Sequence, residues 1–504
     1  MKKFIYICAF ILFSIFIFKI YLDRIGTFSF VDEYDNFVAA FFMLKNKILF
    51  KDIYHNRQLG MVYLSYVIQL ITNPQTLYKL VLYHRLFIMV FSFLAGLLLV
   101  IRFNLLGLTF IFIFEIIKYY FHGNLFIAES LILYPLVYLS FLSIDRINNK
   151  KILISDYIFS GIFTWFVVFM REPYIPLVLI LYFVILFGKK ELRLKIISFF
   201  VFSTLSLITI FTTSVKDYLF QVILVNQSAV LKNQITENEG LIKMIFKAFS
   251  YPIYILFAGK INHYHLILIG LSILFIILIF YHFFIKKRRK EALFILLILG
   301  MAAIRATNPG EAFYGAYRML VWVGLFISSI LILIKDIKNK RSFKISVLFL
   351  FLIFMFSIFS PQSYLWEKIN KEKVFDINYN HYYVYGETIK KLVRPQDKLF
   401  IDGYDSLVFY QSGINSAYKY SLFYPAMKNI SLFTNERLKM FKNSPPAFYY
   451  RDCVTKNDLK LPDFVVSKYI NFKTRGNPSC LYIRKDILVD PIKLEEISKF
   501  GFSF

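Results

Sequence analysis

Three acidic residues lie within four positions of one another. They are Asp32, Glu33 and Asp35 in the segment VDEYD, which directly follows the first long apolar run. Carboxylates this close raise one another's pKa, and apolar surroundings raise it further. Such a group can accept a proton from a hydroxyl nucleophile, so the cluster is a candidate for general-base chemistry. The alternative interpretation is a solvated loop whose acidic residues have no chemical role.

Charged residues also stand at the ends of later apolar runs. A guanidinium matches a phosphate group in charge and in the geometry of its donors, so arginines at a membrane surface are candidates for holding a lipid-linked phosphate. In the alternative interpretation, Arg171 and Arg318 only extend to the interface, and Glu129 only pairs with a neighbouring helix. The residues concerned are Glu129, Arg171, Glu172, Arg305 and Arg318.

Composition places these residues in a membrane. The chain has 504 residues, 58% of them hydrophobic, and a mean hydropathy of +0.58. Repeated apolar runs of about 18 or more residues predict a polytopic α-helical membrane protein. A net charge of +27 would suggest nucleic-acid binding in a soluble chain. Here most of that charge falls in short loops between apolar runs, which argues against a nucleic-acid partner.

The apolar runs predict eleven membrane spans. Glu115 and Lys118 lie three residues apart within one of them and are predicted to form an internal ion pair. The predicted spans are 1–22, 77–101, 105–121, 125–144, 152–170, 174–187, 196–213, 264–285, 292–304, 317–334 and 343–360.

Basic residues orient these spans. With a cytoplasmic N-terminus, every strongly basic short loop falls on the cytoplasmic side, as the positive-inside rule requires. The acidic cluster and the charged helix ends then face outward, and so does the tail. The basic segments are Lys2–Lys3, Arg102 and residues 145–151, 189–195, 286–290 and 335–344.

The chain is therefore predicted to contain two domains. Residues 1–360 form the membrane domain, with long outer loops at 24–76 and 214–263. Residues 361–504 read as a small extracytoplasmic α/β domain. KLFIDGY, LVFYQSG, DFVVSKY and SCLYIRK are predicted strands, and 385–393 is a predicted helix. Cys453 and Cys480 either form a disulfide in this tail or remain separate thiols.

These residues resemble the GT-C glycosyltransferases, in the branch with protein O-mannosyltransferases and the aminoarabinose transferase that modifies lipid A. That branch has one span, then an outward loop that begins with an Asp-Glu pair and continues into an interfacial helix. Here the matching segment is VDEYDNFVAAFFML. LFIAESLILYPL and REPYIPLVLIL resemble later family segments, and DKLFIDGYDSLVFYQSG with LPDFVVSKY resembles the family's outer domain. HNRQLGMVYL departs from the family's Lys-Pro-Pro-Leu-like turn.

The resemblance implies an inverting hexosyl or pentosyl transfer from a polyprenyl-phosphate sugar to a lipid, glycan or protein acceptor outside the cytoplasmic membrane. Asp32 would be the general base, with Glu33 beside it, and Arg171, Arg305 or Arg318 would hold the departing lipid phosphate. The other residues expected to contact substrate are Tyr34, Asp35, Arg57, Glu129 and Glu172. Some relatives use a divalent metal ion and others do not.

Two other classes of function remain open from sequence. A transporter or a flippase for lipid-linked saccharides is compatible with eleven helices. However, the chain shows few mid-membrane ionisable groups, no paired broken helices and no repeated halves. A non-catalytic membrane scaffold with an outer recognition domain is the third class, and the acidic cluster argues against it only weakly.

Overall fold

The computed structural model describes residues 2–187, 191–231, 241–257, 263–305, 313–337, 339–451, 467–474, 476–487, 495 and 498–503. The chain divides into two compact units, each built from three separate segments. The first unit comprises Met1–Arg24, Arg85–Thr209 and Glu239–Ile369. The second comprises Ile25–His84, Ile210–Asn238 and Asn370–Phe504.

Helices dominate the described residues. In chain order they are α1 Lys2–Asp23, α2 Val31–Leu44, α3 Gly60–Thr72, α4 Leu77–Phe103, α5 Leu105–Ile117, α6 Ala128–Ile147, α7 Ile154–Met170, α8 Ile175–Leu186, α9 Leu192–Phe211 and α10 Val215–Leu219. A π-helix, Phe220–Leu231, follows α10. The remaining helices are α11 Leu241–Phe249, α12 Tyr251–Phe257, α13 His263–Phe280, α14 Arg289–Ala302, α15 Leu320–Lys335, α16 Lys340–Phe359, α17 Lys371–Leu392, α18 Leu407–Ser412 and α19 Ser431–Asn443.

The centre of the first unit is a pair of nearly enclosed helices. The apolar windows of α6 and α15 are 83% and 94% buried, whereas those of α1, α9 and α16 are at most 17% buried. Gly324 of α15 lies directly against the Leu133 side chain of α6, where a Cβ atom would collide with it. This small residue allows the two central helices to pack closely. The helices with low burial show most of their apolar surface to the surroundings.

Each predicted span corresponds to a helix, but the helices differ in length. Among the described residues, seven helices are long and apolar enough to cross a membrane. Helices α5, α7, α8 and α14 have 12 to 17 residues and fall short of the length that a spanning helix usually needs. The structure is thus compatible with a helical membrane protein. The total of eleven membrane spans stays a prediction.

The second unit contains a mixed sheet near the C-terminus. Its strands are β1 Lys398–Asp402, β2 Asn415–Ser416, β3 Phe448–Arg451, β4 Tyr469–Thr474, β5 Asn477–Arg484 and β6 Phe502–Ser503. The spatial order is β2-β1-β3-β5-β4-β6. Strand β1 is parallel to both β2 and β3, and the remaining pairs are antiparallel.

The prediction for the tail is correct in part. KLFID and SCLYIR lie in strands β1 and β5, as expected. LVFYQS was expected as a strand but forms α18, because β1 and β2 are parallel and need a crossover connection. Gly413 ends this helix with a positive φ of 70°. The predicted helix 385–393 is the end of the longer α17. Most of DFVVSKY lies outside the described residues.

One tail cysteine takes part in a disulfide. Cys480 is disulfide-bonded and Cys8 is free. The chain has three cysteines, and Cys453 lies outside the described residues. We expect peptide mass analysis without reductant to recover a Cys453–Cys480 cross-link, as suits an oxidising compartment. Alkylation of both thiols in unreduced protein would contradict this pairing.

Candidate functional site

The acidic cluster lies on a helix. Helix α2 begins at Val31, after Phe30 in an extended conformation, so Asp32 and Glu33 occupy its first turn. Acidic side chains are favourable there because they face the positive end of the helix dipole. Residues three apart share a helix face. The helix therefore groups Asp32 with Asp35, whereas the sequence had suggested Asp32 with Glu33.

One arginine bridges this carboxylate pair. Arg57 Nη2 lies 2.7 Å from Asp32 Oδ1 and 3.7 Å from Asp35 Oδ2. The Asp32 and Asp35 side chains are 15% and 9% exposed, and that of Arg57 is 25% exposed. The group is partly open to solvent and carries one net negative charge when both carboxyls are ionised. If one of the two carboxyls takes up a proton, the other can still pair with Arg57.

Asp35 has a second partner from the α/β tail. Tyr424 donates its hydroxyl proton to Asp35 Oδ1 at 2.7 Å. Burial raises the pKa of Asp35 to about 6, with Asp32 raising it further and with Arg57 and the Tyr424 hydrogen bond opposing the change. Sequence reasoning missed Tyr424. No local motif marks this tyrosine, because the contact spans 389 positions of the chain.

The raised pKa of Asp35 predicts a pH-dependent stability. The folded protein holds this proton more tightly than the unfolded chain, whose aspartate titrates near 3.8. Asp35 therefore lowers the free energy of unfolding as pH rises from about 4 through about 6. Asp35→Asn cannot ionise, so its melting temperature relative to wild type should be a few degrees higher at pH 8 than at pH 4.5. An equal difference at both pH values would contradict the assigned pKa.

Glu33 and Tyr34 are buried. Glu33 has no exposed surface, which does not fit the alternative interpretation of a solvated loop. The Tyr34 side chain is also fully buried, donates a hydrogen bond to Ser29 Oγ and packs edge-on against Tyr379 and Tyr382. A catalytic role for Glu33 and a substrate contact by Tyr34 stay predictions.

The first unit contains a second charged cluster. Glu129 is in the first turn of α6, Arg171 follows the end of α7, and Arg305 ends a short 3-10 turn. Glu129 Oε1 accepts from Arg171 Nε at 2.9 Å and from Arg305 Nη1 at 2.6 Å. Glu129 and Arg171 are buried, and Arg305 is partly exposed. Glu129 is therefore the shared acceptor of two guanidiniums, a group of the kind that binds phosphate.

The contacts of Arg171 and Arg318 test the interpretation that these side chains only extend to the membrane interface. Arg171 does not extend to the surface, because its guanidinium is buried against Glu129. Arg318 Nε lies 3.4 Å from the Tyr317 hydroxyl, and its guanidinium lies 5.8 Å from the centre of that ring. Glu172 is half-buried. The turn 308–311 between Arg305 and Arg318 lies outside the described residues.

The predicted internal ion pair is present. Lys118 Nζ lies 2.6 Å from Glu115 Oε2 and donates to Ser92 Oγ at 3.0 Å and to the Tyr134 hydroxyl at 2.9 Å. Both charged side chains are buried. They form one wall of a cavity of about 240 Å³ between α1, α4 and α5. The pair satisfies its own charge, so its presence alone indicates no ligand.

Within the described residues, no group of three or more His, Cys, Asp or Glu side chains is arranged to hold a metal ion. Comparisons with protein-family models, with curated proteins and with solved structures found no significant match.

Proposed function

We propose that this protein is an integral-membrane glycosyltransferase. It transfers a sugar from a polyprenyl-phosphate donor to an acceptor on the outer face of the cytoplasmic membrane. The observation that carries the proposal is the Asp32–Asp35 pair with its shared Arg57 at the start of α2. The sequence resemblance to GT-C enzymes supports Asp32 as the catalytic base.

In the proposed reaction, Asp32 takes the proton from the acceptor hydroxyl as that oxygen attacks the anomeric carbon. Asp32 is more exposed than Asp35, which Tyr424 holds from the other side. Arg57 Nη2 contacts both carboxyls, at 2.7 Å from Asp32 and 3.7 Å from Asp35. The neighbouring Asp35 has a pKa of about 6. The activity should therefore change with pH around this value.

The departing lipid phosphate gains negative charge in the transition state, and a cation already in place stabilises it most there. Arg171 and Arg305, which share Glu129 as an acceptor, are candidates for this role. Glu129 accepts from both guanidiniums and so fixes their positions relative to each other. Arg318 is a third candidate cation. The reaction as proposed needs no metal ion, although some of the GT-C enzymes that the sequence resembles use one.

The proposal also requires a defined topology. The N-terminus is cytoplasmic, and the tail from residue 361 lies outside. We therefore expect alkaline phosphatase, which folds only outside the cytoplasm, to be active when fused after Phe504. Green fluorescent protein exported unfolded through the same pathway should be dark at that position. The opposite pattern would invert the topology and move every candidate site to the cytoplasmic face.

The enzyme assay uses purified protein reconstituted with a radiolabelled undecaprenyl-phosphate sugar and a membrane extract as the acceptor source. We expect labelled product and released undecaprenyl phosphate in equal amounts. Arg318→Ala should weaken donor binding as well as rate, because the phosphate is present in both ground and transition states. Movement of intact donor across a sealed bilayer without cleavage would instead favour the flippase alternative.

A further inference from the structure

Two segments of the first unit carry far more positive than negative charge. Residues 286–291 and 335–344 together hold ten Lys or Arg and only two acidic residues, Glu291 and Asp336. Both acidic side chains contact the same arginine, Arg288. One arginine thus takes both acidic residues of the two segments, and most of the positive charge remains unbalanced there.

The contact of Arg288 with Asp336 joins the two segments. Arg288 Nη1 lies 2.7 Å from Asp336 Oδ2 and 3.2 Å from Glu291 Oε2. Arg288 directly precedes α14, and Asp336 directly follows α15. The chain neighbours of both residues are therefore brought to the same end of these helices. Among the described residues, the exposed cations of the two segments, here called the basic patch, are Lys287, Arg289, Lys290, Lys335, Lys340, Arg341 and Lys344.

The basic loop 145–151 of the same unit is arranged differently. Lys150 Nζ lies 2.6 Å from Asp145 Oδ1, and Arg146 Nη1 lies 3.4 Å from Glu191 Oε2. The positive-inside rule counts Lys and Arg, and acidic residues contribute little to it. A loop with paired cations therefore satisfies the rule as well as a loop with unbalanced ones. The orientation of the helices does not by itself explain the excess charge of the basic patch.

Large apolar side chains lie beside the basic patch. Ile285, Leu293 and Phe343 are 68%, 55% and 41% exposed. Ile285 directly precedes the first segment, Leu293 lies one turn after Arg289 on α14, and Phe343 lies in the first turn of α16. A phospholipid has the matching arrangement, with an anionic headgroup next to apolar chains. A water-soluble polyanion would leave these apolar side chains uncovered.

We propose that the basic patch binds an anionic phospholipid, with the headgroup between the two segments and the acyl chains on the apolar side chains next to them. Lys and Arg donate charge-assisted hydrogen bonds to phosphate oxygens. Because both segments supply cations, a headgroup with two phosphates, as in cardiolipin, should bind most tightly. The inference goes beyond the glycosyl transfer proposed above and requires only that the helices lie in a membrane.

The test measures binding of tetraoleoyl cardiolipin to the full chain in detergent by native mass spectrometry. The rise in melting temperature is the readout in solution, because a ligand of the folded state stabilises it. We expect the wild type to bind cardiolipin more tightly than dioleoyl phosphatidylcholine. Each cation near an anionic headgroup contributes about fivefold in affinity. Lys287→Gln/Lys290→Gln and Lys335→Gln/Lys340→Gln should therefore each bind cardiolipin about 25-fold more weakly than the wild type.

Lys373→Gln/Lys442→Gln is the matched control. These lysines are exposed on α17 and α19 of the second unit, so the control loses the same number of positive charges outside the basic patch. Its cardiolipin affinity and its rise in melting temperature should equal those of the wild type. The deacylated headgroup, bis(glycerophospho)glycerol, tests whether the acyl chains take part. It should bind the wild type at least about tenfold more weakly than cardiolipin, because it buries no apolar surface.

Four results would overturn the inference: no preference of the wild type for cardiolipin over phosphatidylcholine, wild-type affinity in both patch variants, equal weakening in the control variant, or equal binding of the deacylated headgroup. The last result would identify a site for soluble phosphates. Weakening in only one of the two patch variants would refute a headgroup held between the segments. No sugar donor is present, so failure of the proposed glycosyl transfer would leave these results unchanged.

Discussion

Replacing Asp32 by asparagine is expected to lower kcat by about two to four powers of ten, the usual cost of losing a general base. Asparagine keeps the size of the side chain and can still accept a hydrogen bond from Arg57, but it cannot take a proton. The assay is release of undecaprenyl phosphate by the purified, reconstituted protein. Because Asp32 bonds Arg57 at 2.7 Å, a modest loss of stability should accompany the loss of rate.

Glu33→Gln and Asp35→Asn separate the neighbouring acidic residues. If Asp32 carries the chemistry, Glu33→Gln retains most of the activity provided that the buried side chain tolerates the change. Asp35→Asn should alter the pH profile near 6 more than the maximal rate, because its pKa falls in that range. Turnover that survives Asp32→Asn but not Glu33→Gln would reverse the assignment. Activity near wild type in both Asp32→Asn and Glu33→Gln would refute the general-base role of the acidic pair.

The candidate site was partly predictable from sequence. The segment VDEYD marks the acidic residues by composition alone, and the ends of apolar runs mark Glu129, Arg171 and Arg305. The pairing of Asp32 with Asp35 depends on where α2 begins, and helix boundaries are the least certain part of such reasoning. Tyr424 could not be found, because long-range contacts leave no periodic signal in a single sequence.

Glu129→Ala is expected to lower the free energy of unfolding by roughly 3–5 kcal/mol, because it breaks a buried ion pair by removing one partner. Glu129 is the shared acceptor of Arg171 and Arg305, so one substitution removes both contacts. The measurement is equilibrium unfolding in mixed detergent, with loss of tryptophan fluorescence as the signal. Donor affinity should also fall, because the two arginines lose their fixed positions.

Arg305→Ala is the control for this prediction. Arg305 is partly exposed, and its removal leaves the buried Glu129–Arg171 pair intact. The loss of stability should therefore be much smaller, about 1 kcal/mol, as for a partly exposed ion pair. Equal losses in the two variants would mean that Arg171 does not depend on Glu129. If Glu129→Ala were as stable as the wild type, Glu129, Arg171 and Arg305 would not form a buried network.

The fold was predictable where periodicity and composition dominate. Long apolar runs predicted the positions of the helices, and alternating turn signals predicted β1 and β5. LVFYQS could not be assigned, because short apolar runs satisfy strand and helix patterns equally and only the sheet topology decides. The short helices α5, α7, α8 and α14 show the same limit, since run length alone does not give the length of a helix.

The burial of α6 has a consequence for biosynthesis. Its apolar window has a hydropathy of 1.4, whereas the other six candidate spans have values from 2.1 to 2.7. This helix is surrounded by protein in the finished molecule, so it needs less affinity for lipid. It leaves the ribosome long before α15, one of the helices that cover it. A marginally hydrophobic segment partitions weakly into lipid by itself. We infer that α6 waits in the translocation channel, or re-enters the bilayer late, and that truncated chains without α15 are recognised as unassembled and degraded.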